Sequence, residues 1–223
     1  MIKIENIDVY GWEAAIRGAR NPMNSWDRMD SCYNNGEFEI GENDYKLLKN
    51  LTIAGPEHRK WNRMVTATMD ITAPMVWWSQ YDTYKISTVA NSTSKMHKIH
   101  TKPFTRDDFS CDEVYRVPQE RVPIIDTASV MDNIIETLNQ LREAYIETKD
   151  KRYWRQMIEL LPETYNQKRT VHLNYETLGA MYHQRRHHKI DEWHVFCDTL
   201  ETLPYSEFIT REFEWEEIPC IIY

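Results

Sequence analysis

Between Lys168 and Lys189 the chain carries five fixed cations (Lys168, Arg169, Arg185, Arg186, Lys189) and four histidines (His172, His183, His187, His188) against one carboxylate, Glu176. The whole chain has a formal net charge of -8. A basic island in an acidic protein suits a small anion, whereas general nucleic-acid binding requires a dominant basic surface. The local spacing suggests a helix that aims these cations at one place. Leu178, Met181, Tyr182 and Arg185 follow i, i+3, i+4, i+7 on one helical face. An arginine that prolongs a buried stripe is costly unless it meets an anion. That anion is either a carboxylate from another helix or a phosphate or carbonyl ligand gripped by the planar guanidinium fork.

His183 and His187 stand i, i+4, as helical zinc ligands can. Arg185, Arg186 and Lys189 surround them, and like charge disfavours a divalent cation, so no metal site is expected. Pro56-Glu57-His58 follows Gly55 and reads either as loop surface or as part of a site. Gln80, Thr83, Tyr84 and Lys85 lead into Ser87, Thr88, Asn91, Ser92, Thr93 and Ser94. This is either an ordinary polar loop or one that binds phosphate or sugar through side chains and backbone N–H groups. The chain has no GxSxG, HExxH, Walker loop or GxGxxG. An enzyme of this kind would take its reactive group from a cofactor.

The elements that must position these residues are read from periodicity. Residues 1–10 predict a strand, and Glu13 to Arg20 a short helix ended by Asn21-Pro22. Residues 24–43 read as a loop, and Asp44 to Leu51 as a helix stopped before Gly55-Pro56. Val65 to Ile71 alternates apolar and polar residues, a half-buried strand. Pro74 opens a helix carrying Trp77, Tyr81 and Tyr84. Residues 85–95 read as a polar segment. Residues 100–125, with Pro103, Pro118 and Pro123, read as irregular or inserted.

The second half is expected to be helical. Asp126 caps a helix with the stripe Val130, Ile134, Leu138, Leu141 and Tyr145. A second helix covers Tyr153 to Leu161 and ends at Pro162. Asn174 caps a third and Asp191 a fourth, the last with Trp193, Phe196, Cys197, Leu200 and Leu203 inward. Strands first and helices later give α+β, an antiparallel-type sheet packed with long helices, as a single domain over 1–223.

The 223 residues are 41% hydrophobic, enough for a sizeable core. Cys32, Cys111, Cys197 and Cys220 are scattered and form no CxxC, and no signal peptide is expected. A reduced, cytoplasmic setting is therefore expected. No apolar run approaches the roughly 20 residues of a membrane span. Cys197 reads as core.

The order of these pieces resembles the flavin-dependent thymidylate synthases. That family's pattern runs Pro-Phe-Glu-His, a strand, Gln-x-x-Arg-His-Arg, Ser-x-Asn-Glu-x-Ser-x-Arg, a helix ending in Leu-Pro, and Asn-x-Arg-Ser-Leu-x-x-Phe-x-x-x-Arg. This chain has Gly55-Pro56-Glu57-His58, the strand from Val65, and Gln80 at the family's spacing. With one inserted residue Asn91 and Ser94 fall in register. Leu161-Pro162, Asn174, Leu178 and Arg185 match, Thr177 replaces Ser, and Ala19-Arg20 resembles an early Ala-Arg. The Arg-His-Arg triplet is Thr83-Tyr84-Lys85, the Glu is Ser92, and the closing Arg is Met96.

The resemblance implies reductive methylation of dUMP or a related pyrimidine nucleotide. FAD would be the cofactor, methylenetetrahydrofolate the carbon donor, NADPH the reductant, and the assembly a homotetramer. It gives His58, Lys85 and Asn91 to the flavin and Gln80, Ser94 and Arg185 to the nucleotide. Arg185 would stabilise charge developing on the pyrimidine. The alternative is a non-catalytic nucleotide-binding protein on the same fold that sequesters or senses its ligand. A scaffold protein would leave Arg185 with a protein partner only.

Overall fold

A computed structural model describes residues 2–116 and 126–213. Pro118, Pro123 and Cys220 lie outside the described residues. The described residues hold strands β1 (Lys3–Tyr10), β2 (Cys32–Asn34), β3 (Glu37–Glu39), β4 (Thr66–Pro74), β5 (Thr88–Ser92) and β6 (Asn166–Asn174). The helices are α1 (Trp12–Arg20), α2 (Glu42–Ala54), α3 (Met75–Tyr81), α4 (Lys95–Lys98), α5 (Asp112–Arg116), α6 (Thr127–Thr148), α7 (Lys151–Leu160), α8 (Tyr175–Arg185), α9 (Asp191–Glu201) and α10 (Glu207–Thr210). The fold is α+β.

The main sheet has the order β1-β4-β6-β5. Val65 O accepts from Tyr175 N, and Tyr165 O accepts from Met75 N, so the start of β4 faces the end of β6 and the two run antiparallel. β4 buries Ala67, Met69, Ile71 and Ala73 and turns its polar residues outward, as its alternation predicts. β6 was not legible. Its apolar residues are only Val171 and Leu173, and Gln167 takes a buried place that period-two reading assigns to a hydrophobe. Strand β5, mostly exposed, has no apolar alternation to reveal it. The loop over 24–43 contains a hairpin in which Tyr33 pairs with Phe38 across Asn35-Gly36. Both turn residues have positive φ, the conformation that an Asn-Gly turn supplies.

The chain divides into two compact units, each assembled from separated stretches. The first comprises residues 2–5, 70–84 and the described part of 90–170. Its core joins Ile99, Phe104, Phe109, Met131, Leu138 and Met157, with Ile134, Leu141 and Tyr145 packed against them. Asp126 caps α6 by accepting from Ala128 N at 3.1 Å, and Asp150 caps α7 by accepting from Arg152 N at 2.9 Å. Val130, expected on the inward stripe of α6, is 43% exposed. Leu161 is extended, as a residue before proline must be, and ends α7.

The second unit comprises residues 6–69, 85–89 and 171–213. Trp12, Trp61, Tyr175 and Phe208 form its aromatic centre, with the Trp12 and Tyr175 rings edge to face at 5.2 Å. Gly11, at φ 97°, precedes α1, and a Cβ there would lie 2.2 Å from Met64 O. No other residue fits that turn. In α9, Trp193, Phe196, Cys197 and Leu200 are buried as predicted, although Ile190 rather than Asp191 is the N-cap.

Candidate functional site

In the first unit, β4 runs directly into α3. The opening N–H groups of α3 at Met75 and Val76 donate to Tyr165 O and Glu163 O, both at 3.0 Å. The helix buries Trp77, Trp78 and Tyr81 and carries half-buried Gln80 in its last turn. Thr83 folds back, its hydroxyl donating to Gln80 O at 2.7 Å. Arg169 on β6 donates to Asp82 at 2.7 Å, and its guanidinium lies 4.2 Å from the Trp78 ring centre. A second cation is therefore beside the segment Thr83-Tyr84-Lys85, but it is neutralised by Asp82 and held on an aromatic face.

Asn91 is exposed on β5, and Ser94 caps α4 by accepting from His97 N at 3.2 Å. Ser94 opens onto a cleft of about 310 Å³ whose wall includes Lys95, Lys98, Lys102 and Lys168. Gln80 and Asn91 do not line it. Lys102 pairs with Asp108, and Lys168 Nζ lies 2.9 Å from Asp70. Those carboxylates, through their hydrogen bonds, raise both ammonium pKa values. Sequence reasoning passed over the cluster. Its signal was the spacing Lys95, Lys98, Lys102, about one and two helical turns apart, beside the one Ser of the family pattern. Met96, where that pattern closes on arginine, is 53% exposed and takes no part in the wall.

In the second unit, Gly55 (φ 125°) turns the chain so that Gly55 O accepts from His58 N at 3.1 Å. The His58 side chain is exposed, as is Lys85. The next residue, Arg59, is half-buried and donates to Glu176 at 2.8 Å. Arg211 approaches the other oxygen of Glu176 at 3.6 Å. Its guanidinium lies 3.1 Å from where a Cβ on Gly179 would stand, so this close approach depends on glycine. Burial, then the charge of Arg59, lowers the Arg211 pKa. Glu176 occupies the arginine position of Asn-x-Arg-Ser-Leu, so at this point the charge is reversed and two arginines gather on a carboxylate. Asn174 caps α8 as predicted, accepting from Thr177 N at 2.8 Å.

Arg185 closes α8, half-buried, with its guanidinium 5.0 Å from the Trp193 ring centre. Arg186 pairs with Glu212 at 2.7 Å. The basic island is thus divided between the two units. On β6, Lys168 pairs with Asp70 of β4 and Arg169 with Asp82 just after α3, while Arg185 and Arg186 go to different partners at the end of α8. Spacing along one helix could not anticipate this, because Lys168, Arg169 and His172 are on a strand. Among the described residues no group of three His, Cys, Asp or Glu side chains is arranged to hold a metal ion. Among them, too, no helix is long and apolar enough to cross a membrane.

A flavin diphosphate held as the resemblance implies needs several charge-assisted donors. The segment after α3 provides one exposed ammonium, Lys85, next to a hydroxyl already bonded to the backbone and a carboxylate that has claimed Arg169. These residues do not fit that group.

No protein-family model matches the chain, and no curated protein matches it. Solved structures do. Thymidylate synthase X from Helicobacter pylori with FAD and dUMP superposes with a TM-score of 0.64 at 15% identity, over 93% of this chain and 96% of that one. A second structure of the Helicobacter pylori enzyme, also complexed with FAD and dUMP, gives 0.62 at 14% identity, over 92% and 96%. The UMP/dUMP methylase PolB from Streptomyces cacaoi, bound with 5-Br dUMP, gives 0.60 at 17% identity, over 91% and 89%. The chain has the fold of the flavin-dependent thymidylate synthases, end to end.

Proposed function

We propose that the protein is a divergent relative of the flavin-dependent thymidylate synthases that binds a pyrimidine nucleotide, dUMP or close to it. What carries the reading is the end-to-end likeness to three structures that hold dUMP or 5-Br dUMP. The lysine-lined cleft at Ser94 supports it. Gln80, Ser94 and Arg185 are the residues that the family resemblance gives to the nucleotide, and of these Ser94 opens onto the cleft. Holding it without turning it over, to sequester or sense it, is favoured over reductive methylation by one observation. The arginine nearest the altered triplet, Arg169, is spent on Asp82 and Trp78.

Thermal melting of the purified chain with FAD, dUMP, UMP and dTMP tests this. A ligand that binds only the folded state raises the melting temperature by mass action. A colourless protein stabilised by a pyrimidine nucleotide and not by FAD is the expected result. A yellow protein, absorbing near about 450 nm as bound flavin does, would instead favour the methylation role. If no nucleotide shifts the melt, the reading is wrong.

A further inference from the structure

Arg211 Nε is fully buried and has no hydrogen-bond partner among the described residues. Its terminal nitrogen stands 3.6 Å from Glu176, close enough for an ion pair but too far for a hydrogen bond. Arg59 bonds the other oxygen of that carboxylate through Nε alone, so among the described residues its terminal amino groups are not used. Two guanidiniums thus share one carboxylate, and the cluster carries one positive charge in excess. Glu212, next to Arg211 in sequence, is taken by Arg186 at 2.7 Å. His183 follows Glu176 and Gly179 on one face of α8 (i, i+3, i+7). Burial, then the charge of Arg211, lowers its pKa, so the ring adds no compensating or competing charge at neutral pH.

The fold holds these charges in place. The backbone at Arg211 is left-handed, with φ 59°, a conformation that a long side chain rarely adopts. Its guanidinium passes α8 where Gly179 offers no side chain. The side chains of Arg59, Glu176 and Arg211 are 11%, 19% and 27% exposed, so the cluster is recessed but reachable from solvent. A half-buried guanidinium without a hydrogen bond is costly unless an acceptor meets it.

We propose that Arg59 and Arg211 form a binding site for the carboxylate of a small organic acid. Planar guanidinium forks match a carboxylate in bidentate fashion, and the single excess charge matches a monoanion. A phosphate dianion would set a second negative charge against Glu176. Glu176 therefore selects the charge of the ligand as well as pairing the arginines. All of these residues belong to the second unit, whereas the lysine cleft belongs to the first. The proposal stands whether or not the protein binds a nucleotide.

Thermal melting of the full chain with sodium formate, acetate, phosphate or chloride at matched ionic strength tests this. The proteins compared are the native chain, Arg59→Lys, Arg211→Lys, Glu176→Gln and the exposed control Lys151→Gln. A ligand of the folded state raises the melting temperature by mass action. Formate and acetate should raise it above the chloride value in the native protein and in Lys151→Gln. Lysine keeps the charge but removes the fork, so both arginine variants should bind these anions about tenfold more weakly. Any response of the native protein to phosphate should be indifferent to those two substitutions. Glu176→Gln, with a second uncompensated charge, should respond more strongly than the native protein to formate and to phosphate. A purely structural cluster would show none of these anion effects. A native protein that responds to formate and acetate no more than to chloride would overturn the proposal, as would a response that survives unchanged in both arginine variants. Should a variant fail to fold, the resonance of isotope-labelled formate gives the reading from native protein alone. Broadening by the protein upholds the site, and a line that stays sharp at every protein concentration overturns it.

Discussion

Arg59 donates to Glu176 at 2.8 Å across 117 residues of sequence, and Arg211 approaches the same carboxylate from the C-terminal side. Glu176 lies in the first turn of α8, where a negative charge also meets the helix N-terminus favourably. Removing that charge leaves two partly buried guanidinium groups, Arg59 and Arg211, without the carboxylate they share. Glu176→Gln is therefore expected to destabilise the fold by about 1–3 kcal/mol. Adding Arg211→Gln should recover part of the loss, since it also removes the repulsion. Urea denaturation of the two single variants and the double variant measures the coupling directly. Simple additivity would show that the three side chains do not act as a unit.

A second ion pair is buried more deeply. Arg20 is 4% and Asp44 0% exposed, with Arg20 Nε donating to Asp44 at 2.5 Å. Arg20 also donates to the carbonyls of Ser25 and Arg28, and Asp44 accepts from the N–H groups of Asp30 and Ser31. The pair thus fixes the stretch between α1 and β2. Breaking a buried pair at one end costs about 3–5 kcal/mol because the other charge is left stranded. Asp44→Ala should lose stability on that scale. Limited proteolysis should then cut first between residues 24 and 31, and a native-like cleavage pattern would count against the assignment.

How much of this was legible depended on where the signal was local. Asp126, Asn174 and Pro74 each mark a helix start through one side chain or one fixed dihedral, and all three stand where the sequence places them. The strand from Val65 was readable because its alternation is strict. β6 was not, because Gln167 is buried and finds its partners in Thr93 O and Arg169 rather than in apolar packing. The lysine cleft was missed for a related reason. Arg185 was singled out from helical spacing, whereas the lysine cleft is assembled by chain folding from residues as far apart in sequence as Thr72 and Lys168. Only Ser94 belongs to both.

Arg185 has its own test. Its guanidinium lies 5.0 Å from the ring centre of buried Trp193, a contact worth about 0.5–1 kcal/mol. Arg185→Ala should leave the ligand-free melting temperature nearly unchanged while abolishing the rise produced by dUMP. Collapse of the ligand-free protein would identify Arg185 as structural instead.

The cysteines should separate by environment. Cys32 is exposed, whereas Cys111 and Cys197 are buried. Burial, reinforced by Asp198, pushes the Cys197 thiol up to about 12, and burial with Asp112 raises that of Cys111. Thiolate is the reactive form, so both should be inert at neutral pH. Iodoacetamide followed by peptide mapping should find Cys32 alkylated in the native protein, and Cys111 and Cys197 only after denaturation. Native labelling of Cys197 would contradict its place in the core of α9.

His188 sets an expected acid sensitivity. Partial burial, then Arg185, His194 and Lys189, lowers its pKa below the ordinary value of 6.5. The ring is also used as an acceptor, since Ile190 N donates to His188 Nδ1 at 3.2 Å immediately before α9. Protonation removes that acceptor and adds a cation among cations. The unfolded chain binds the proton more readily than the folded one, so stability rises with pH across this group. It is complete above the ordinary histidine value and declines as pH falls through that value toward the lowered one. His183, shifted in the same direction chiefly by burial and by Arg211, adds to the trend. The urea midpoint should therefore drop between about pH 7.5 and about pH 5.5, a window in which histidine is the side chain that titrates. His188→Asn keeps an oxygen acceptor without a titratable proton, and should flatten the decline while preserving the midpoint at the higher pH. An unchanged slope in that variant would place the acid sensitivity elsewhere.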